Sequence, residues 1–451
     1  MSEVNDVVVT IDEEKASNIG LNEASGEKDN APHIIVFVNT RSGGQAGASL
    51  LEPMRNTYGE ENVFDIFEPP IGPKDGLEIF MINKKTKDLR ILVAGGDGTV
   101  NWVIDTIDTL CHANTDVAWP AIAILPLGTG NDLSRQFKWG HGYHGQDLEI
   151  IKNSMKIAKI DQLDRWQLTI HEVNEVESKV NDKSDNKKET EDKDKNTTPV
   201  AKQEKEIELT EKTNTTNIVT ETKVDKNIAK TETETETKSE LGKEILNRKF
   251  VNYFGIGVDG KMVTKFEECR KSCSWMFCCR CMNNMIYGFF GFINPCLPNA
   301  LIDQEYDVTL NNNNHKCKVP KRARGIMILN IQSFMGGVQL WSKKEEEATS
   351  HDEKVDATSV NGTLHLGLIK VDLGTADCLG QGKDVTIYPK QFPSTITNEQ
   401  KEIKKQTYIA AQVDGEALAV PLRSCFRVKL ANKIPMLVGP VEEPPLCDLC
   451  C

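Results

Sequence analysis

A chain of 451 residues with 67 acidic and 54 basic side chains carries a formal net charge of −13. That charge argues against nonspecific nucleic-acid binding. Since no apolar run approaches ~18 residues, we predict no transmembrane segment. On the order of 300 residues have a globular composition, which is enough for two hydrophobic cores.

Residues 1–32 are polar and acidic, and we predict a disordered N-terminus without a signal peptide or myristoylation motif. Three short apolar runs follow, at 34–38, 91–94 and 121–125, and each leads into a polar, glycine-rich turn. In chain order these turns are Asn39-Thr40-Arg41-Ser42-Gly43-Gly44, Gly95-Gly96-Asp97-Gly98-Thr99 and Pro126-Leu127-Gly128-Thr129-Gly130-Asn131-Asp132-Leu133.

The second turn is the most informative of the three. Its glycines let the backbone approach a ligand closely, and its N–H groups face the same point as the positive end of the helix that follows. This combination suits a phosphate, although a turn that merely joins a strand to a helix is the simpler alternative. The helix itself is predicted from apolar residues at helical spacing, namely Val100, Val103, Ile104, Ile107 and Leu110.

Apolar strands that alternate with helical stretches predict a parallel α/β sheet, in which ligands bind at the carboxyl ends of the strands. All three polar turns lie at such ends, so the sequence predicts a nucleotide site. Backbone donors are predicted from Gly43, Gly95, Gly96, Gly98, Gly128 and Gly130. Side-chain hydrogen bonds to the ribose or phosphates are predicted from Asn39, Ser42, Thr99, Thr129 and Asn131, with Asp132 in the same turn.

Asp97 is the unusual member of these turns. A carboxylate inside a phosphate-binding turn repels the ligand unless a cation or a proton transfer requires it there. Mg²⁺ prefers carboxylate, phosphate and water oxygens, so we predict that Asp97 holds Mg²⁺ directly or through water.

The second half of the chain has a different pattern. Residues 172–247 consist largely of Lys, Glu, Asp, Thr and Asn, and we predict a low-complexity disordered insert, with a regulatory docking segment as the alternative. Residues 248–440 contain short apolar stretches separated by turn residues, which predicts a β-rich domain. A cysteine-rich tail, 441–451, follows.

The three turns, together with Trp102 and Ser134-Arg135, resemble the catalytic domain of eukaryotic diacylglycerol kinases. Later runs resemble the accessory half of that family: residues 252–259 (Asn-Tyr-Phe-Gly-Ile-Gly-Val-Asp), Asn330-Ile331-Gln332-Ser333, and Gln412-Val413-Asp414-Gly415-Glu416. The zinc-bound lipid-recognition modules of many members do not occur in this sequence.

The resemblance implies an α/β nucleotide-binding domain with a parallel sheet at 33–166 and a mainly β, sandwich-like accessory domain at 248–440. It implies an enzyme that uses ATP and Mg²⁺ to phosphorylate diacylglycerol to phosphatidic acid at a membrane surface, in lipid signalling.

By resemblance the general base is Asp414, with Glu416 close by. In related lipid kinases the carboxylate of the glycine turn is also considered as the general base. The resemblance therefore leaves both Asp97 and Asp414 as candidates for the base. A sphingosine or ceramide kinase, an NAD kinase and a catalytically silent lipid- or partner-binding scaffold are the competing functions.

Two cysteine clusters, at 269–281 and 447–451, have three interpretations. The cysteines are plain thiols, or they are palmitoylated and anchor the chain, or Cys278, Cys281, Cys447 and Cys450 together bind zinc. We expect a cytoplasmic protein that associates peripherally with membrane.

Overall fold

The structure, a computed structural model, describes residues 31–43, 46–173, 241–272, 302–341, 349–371, 373–390 and 408–440. The described residues up to Val173 and from Gly242 onward belong to one compact unit. The predicted N-terminus up to residue 30, the cysteine-rich tail and every cysteine of the two clusters except Cys269 lie outside the described residues.

The strands of the described residues are β1 (His33–Val38), β2 (Val63–Asp65), β3 (Leu89–Gly95), β4 (Ala121–Pro126), β5 (Ile160–Val173), β6 (Leu241–Phe250), β7 (Tyr253–Gly257), β8 (Tyr306–Leu310), β9 (His315–Lys316), β10 (Gly325–Leu329), β11 (Ser333–Phe334), β12 (Val338–Gln339), β13 (Val355–Val360), β14 (Asp377–Gly382), β15 (Asp384–Pro389), β16 (Tyr408–Val413), β17 (Glu416–Pro421) and β18 (Ser424–Leu437). The helices are α1 (Ala46–Tyr58), α2 (Lys74–Leu77), α3 (Asp97–Ala113), α4 (Asp132–Gln136), α5 (Leu148–Ile157), α6 (Val258–Ser272), α7 (Ile302–Glu305) and α8 (Thr363–Lys370), with a π-helical segment at Glu78–Asn83.

The first four strands form the predicted parallel sheet, in the order β2-β1-β3-β4. Their apolar runs are buried on both faces, which is typical of parallel strands covered by helices. Helix α3 has the predicted buried stripe, and Val100, Val103 and Ile107 on it are fully buried. The α/β part of the fold prediction is confirmed.

This sheet continues into the second half of the chain. Strand β18 lies parallel to β4, with Met436 opposite Ile122, and it pairs antiparallel with β5 along its length. Strands β15, β8 and β9 extend the sheet further, all antiparallel. No pattern in the sequence indicated that the end of the chain would complete the nucleotide-binding sheet.

A second, six-stranded sheet has the order β14-β13-β10-β7-β16-β17 and is antiparallel. Its inner side chains, such as Phe254 and Ile328, share one buried cluster with Trp166 and Phe426 of the first sheet. Two sheets that pack face to face around one core form a sandwich. The predicted mainly β, sandwich-like accessory part is therefore confirmed.

The edges of the predicted insert 172–247 differ from the prediction. Strand β5 runs to Val173, and β6 begins at Leu241 and pairs with β5. Only Phe250 of β6 is buried, and the other side chains are partly or largely exposed. Main-chain hydrogen bonds therefore contribute more to this ribbon than apolar burial does, and the composition of the segment did not indicate a strand. Residues 174–240 lie outside the described part.

Candidate functional site

The second and third polar turns contact each other through their backbones. Leu127 N donates to Gly95 O over 2.9 Å, and a Cβ on Gly128 would lie 2.6 Å from Gly96 Cα. Any side chain at Gly128 would therefore force these turns apart. The contact fixes the carboxyl ends of β3 and β4 side by side.

The first turn joins them. Asn39 Nδ2 donates to Thr99 Oγ1 over 2.8 Å. Gly43 has a φ of +64°, and a Cβ there would lie 2.8 Å from Leu127 O. Ser42 is half-buried beside it, and Ser42 N donates to Asn39 O over 3.1 Å. All three turns thus meet at one edge of the sheet.

Gly98 marks the open side of this edge. Apart from its chain neighbours and the backbone of its own helix, no described atom lies within 4 Å of the position that a Cβ on Gly98 would take. Gly98 is in the first turn of α3, whose leading N–H groups have no partner within the helix. A phosphate could therefore approach the N-terminus of this 17-residue helix at Gly98.

Asn131 and Thr129 lie in the third turn, but the two are placed differently. Asn131 is buried in the left-handed conformation, and its Nδ2 donates to Gly128 O and His141 O. Both N–H groups of this amide therefore shape the turn. Asn131 Oδ1 is buried and has no hydrogen-bond partner among the described residues. Thr129 is half-buried at the same edge.

Asp97 bridges two of the turns. Its Oδ2 accepts from Asp132 N over 3.0 Å, and its Oδ1 accepts from Leu133 N over 3.2 Å. Burial raises the pKa of Asp97 to about 7, and the nearby carboxylates of Asp132 and Asp414 act in the same direction. The two backbone hydrogen bonds oppose this shift only in part.

Asp132 points away from the turn and into the accessory half. Its Oδ1 accepts from Ser333 Oγ, from Gly336 N over 3.0 Å and from Gly337 N over 3.1 Å. Its Oδ2 accepts from Tyr253 Oη over 3.4 Å. This carboxylate therefore fixes the accessory loop around Gly336 to the third turn.

Asp414 is held by four donors. Its Oδ1 accepts from Asn252 N and Tyr253 N over 2.8 and 3.0 Å, and its Oδ2 accepts from Val251 N and Asn101 Nδ2 over 3.0 and 2.8 Å. Burial raises its pKa, and these four hydrogen bonds oppose the shift.

Glu416 differs from these three carboxylates because its side chain is 60% exposed and forms an ion pair with Arg248 over 2.6 Å. The structure therefore brings Asp97, Asp132 and Asp414 together, with Asp132 buried and the other two half-buried, and it leaves Glu416 at the surface. Lys370 on α8 faces the cluster: burial lowers its pKa, and the nearby Asp132 carboxylate opposes that shift.

The donors at this site suit Mg²⁺. Among the described residues, no three acidic, imidazole or thiol groups are arranged to hold a metal by themselves. Mg²⁺, however, is commonly bound by one or two carboxylates together with substrate phosphates and water. Each Asp97 oxygen accepts one hydrogen bond and keeps a lone pair. Asp97 also lies beside the carboxylates of Asp132 and Asp414, and a cation would stabilise its ionised form.

Three residues of the site were not predicted from the sequence as site residues: Asn101, Tyr253 and Ser333, which contact the clustered carboxylates. Asn101 had a usable signal, because it lies four residues after Asp97 and so on the same face of α3. Tyr253 and Ser333 occur in the runs that resemble the accessory half, but nothing local to the sequence shows that they face Asp132.

Comparison with known proteins gives matches in both halves of the chain. Residues 33–162 match the diacylglycerol kinase catalytic domain, and residues 249–417 match the diacylglycerol kinase accessory domain. Diacylglycerol kinase 2 of Arabidopsis thaliana is 30% identical over 91% of this chain and 47% of its own length. The eye-specific diacylglycerol kinase of Drosophila melanogaster is 28% identical over 92% of this chain and 23% of its own length.

The chain therefore spans less than half the length of these curated relatives. Among solved structures, a Bacillus anthracis protein is similar over 92% of this chain and 99% of its own, with 14% identity and a TM-score of 0.47.

Proposed function

Because this chain belongs to the diacylglycerol kinase family, we propose that it transfers the γ-phosphoryl group of ATP to the free hydroxyl of a diacylglycerol. The product is phosphatidic acid, and the proposed role is in lipid signalling. The observation that carries the proposal is the half-buried carboxylate Asp97 at the meeting point of three glycine turns.

The three turns bind the phosphoryl donor. Backbone N–H groups at the first turn of α3 lie beside the open space at Gly98, and the turn around Gly128 contacts Gly96 next to them; the phosphates bind at this point. Asn39, Ser42, Thr99 and Thr129 line the same edge and orient the nucleotide. Phosphoryl transfer depends mostly on such positioning and on neutralising phosphate charge. Mg²⁺, held by Asp97 directly or through water, supplies that neutralisation when bound.

Asp97 is also the better candidate for the general base. A carboxylate has about four lone-pair sites, and Asp414 accepts four hydrogen bonds whereas Asp97 accepts two. Asp97 therefore retains a lone pair that can accept the proton of the acceptor hydroxyl. Asp414 orders the turn and the accessory strand beside it. Exposed Glu416 is the second candidate for the base.

The reaction takes place at a membrane surface, because a diacylglycerol with long acyl chains resides in the bilayer. Within the described residues, no helix is both long and apolar enough to cross a membrane. We propose peripheral association, and the anchored-cysteine hypothesis stays a prediction.

The test is a transfer assay with the purified chain, labelled ATP, Mg²⁺ and a panel of diacylglycerol, sphingosine and ceramide in mixed micelles. We expect label in phosphatidic acid. Asp97→Asn should lower turnover by about 10³-fold or more, whereas Asp116→Asn, at an exposed carboxylate, should not change it. Preferential labelling of sphingosine or ceramide would show a different lipid kinase. ATP binding without any labelled lipid would indicate the silent scaffold.

A further inference from the structure

Helix α8 is apolar on both of its faces. Leu366 and Ile369 are buried in a cluster that includes Tyr253 and Phe334. The opposite face carries Leu364, Gly367, Leu368 and Val371, at the i, i+3, i+4 and i+7 spacing of a helical stripe. Leu364 and Val371 are 46% and 54% exposed, and Leu373 just beyond them is 72% exposed. We call Leu364, Val371 and Leu373 the α8 stripe.

The α8 stripe belongs to a fixed part of the structure. Leu373 N donates to Leu368 O over 2.9 Å, and Ala376 N donates to Leu340 O over 2.7 Å. The ring Nε2 of His365 lies 3.0 Å from Thr375 O. The chain after α8 is thus tied back to the helix. Apart from its chain neighbours and the backbone of its own helix, no described atom lies within 4 Å of a Cβ placed on Gly367, so the outer face is open there among the described residues.

The helix that carries the stripe packs beside the carboxylate site. The inner face of α8 shares its buried cluster with Tyr253 and Phe334. Tyr253 Oη and Ser333 Oγ, next to Phe334, both donate to Asp132. Lys370 on α8 also interacts electrostatically with Asp132. Helix α8 therefore packs against the residues that donate to Asp132, and its opposite face carries the exposed aliphatic side chains.

We propose that the α8 stripe inserts into the bilayer that contains the acceptor lipid, and this rests on the proposed function. A two-chain acceptor does not leave the bilayer readily, because each buried CH₂ contributes about 0.8 kcal/mol to its retention. The carboxylate site must therefore approach the membrane surface, and the stripe beside it approaches with it. Exposed aliphatic side chains gain free energy when they leave water for the bilayer interface, so the α8 stripe supplies an apolar contact with the membrane.

Exposed Ile157 provides a matched control. It is 84% exposed at the end of α5, and α5 packs on the nucleotide-binding core, which is a different cluster from that of α8. Ile157→Ser therefore removes an exposed aliphatic side chain of similar size without touching α8.

The experiment measures flotation of the full chain with phosphatidylcholine vesicles that contain long-chain diacylglycerol. The double variant Leu364→Ser/Leu373→Ser should bind at least about tenfold more weakly, and Ile157→Ser should bind like the unmodified chain. Activity on vesicles should fall with binding in the double variant. Activity on a short-chain, water-soluble diacylglycerol should stay within about twofold, because the stripe does not contact the reacting groups.

Three outcomes would overturn the proposal. In the first, the double variant floats like the unmodified chain. In the second, light scattering shows a dimer that the double variant loses, so that a second copy covers the stripe. In the third, the substitutions lower thermal stability without changing flotation, so that another segment of the same chain covers it. Stripe-dependent flotation without phosphorylation of any diacylglycerol would support the surface and refute the proposed function, so the two can fail separately.

Discussion

Asn101 donates its Nδ2 proton to Oδ2 of Asp414 over 2.8 Å, although 313 positions separate the two residues in the chain. Asn101 lies one helical turn after Asp97 on α3. Helix α3 therefore begins at the nucleotide turn and contacts the Asp-Gly-Glu turn along the same face.

We expect Asp414→Asn to lower both stability and turnover. Position 414 has a φ of +49°, which Asn tolerates as well as Asp, so the backbone is not strained. An amide nitrogen would, however, replace one oxygen that now accepts two N–H groups. Two unmatched buried donors should cost about 3 kcal/mol, measurable by chemical unfolding.

Glu416→Gln is the matched control for that variant. The exposed pair of Glu416 with Arg248 should contribute less than about 1 kcal/mol. If Glu416→Gln abolishes turnover at unchanged stability, Glu416 is the base and the assignment to Asp97 is wrong.

Gly98→Ala should separate nucleotide binding from stability. The glycine lies in α3 with open space around its Cβ position and without a positive φ. Alanine there should leave stability unchanged or raise it by up to about 1 kcal/mol. Its methyl group would occupy the space assigned to the phosphate, so ATP affinity should fall by about tenfold or more.

Gly367→Ala is the control for this substitution, since Gly367 is also helical with open space around it. It should raise stability by a similar amount, and its ATP affinity should not change. Calorimetric titration with Mg·ATP measures both variants. Equal affinities would remove the α3 turn from the nucleotide site.

Asp259→Asn should change how stability depends on pH. Asp259 is buried at the start of α6, and its Oδ2 accepts from Gln412 Nε2 over 2.6 Å. Its Oδ1 has no hydrogen-bond partner among the described residues. Burial raises its pKa from 3.8 to about 6, and the Gln412 hydrogen bond opposes this only partly.

Because the folded-state pKa of Asp259 is the higher one, the folded chain binds this proton more tightly than the unfolded chain. The stability that this tighter proton binding contributes is fully present below about pH 4, and it is lost as the pH rises through about 6. At pH 8 the buried, ionised carboxylate therefore lowers the free energy of unfolding by on the order of 3 kcal/mol relative to low pH. Asn can still accept from Gln412, so the variant should gain stability over the unmodified chain between pH 5 and pH 8 in urea unfolding. A difference that does not change with pH would contradict this account.

The low-complexity segment can be tested by deletion. Strand β6 begins at Leu241, so the deletion should cover 178–239 and leave the β5–β6 ribbon intact. With a short flexible linker, specific activity on detergent-dispersed lipid should stay within about threefold. Extending the deletion to residue 247 would remove most of β6 and should lower stability. If the shorter deletion already prevents folding, the segment is structurally required.

Local patterns predicted the nucleotide-binding half well. Apolar runs buried on both faces gave β1, β3 and β4, and helical spacing from Val100 to Leu110 gave α3. The glycines marked the turns, because close backbone contacts such as Gly96 against Gly128 leave no room for a side chain.

What the sequence could not predict depends on contacts between distant segments. No local pattern shows that Asp132 turns towards Ser333, or that Asn101 meets Asp414. The β5–β6 ribbon was missed for a related reason, since its strands are held by main-chain hydrogen bonds that composition does not report. The family resemblance identified the segments, and only the fold shows which of their atoms meet.

The pairing of β18 with β4 also determines when the nucleotide-binding sheet can be completed during synthesis. Strand β4 leaves the ribosome early, but Met436, which lies opposite Ile122, is among the last described residues to be made. Until then β4 is paired only with β3. Its other edge is unpaired and its side chains are apolar throughout, and such edges readily pair with other chains. We therefore expect that the catalytic half does not fold on its own. A chain truncated before β18 should aggregate as it is made.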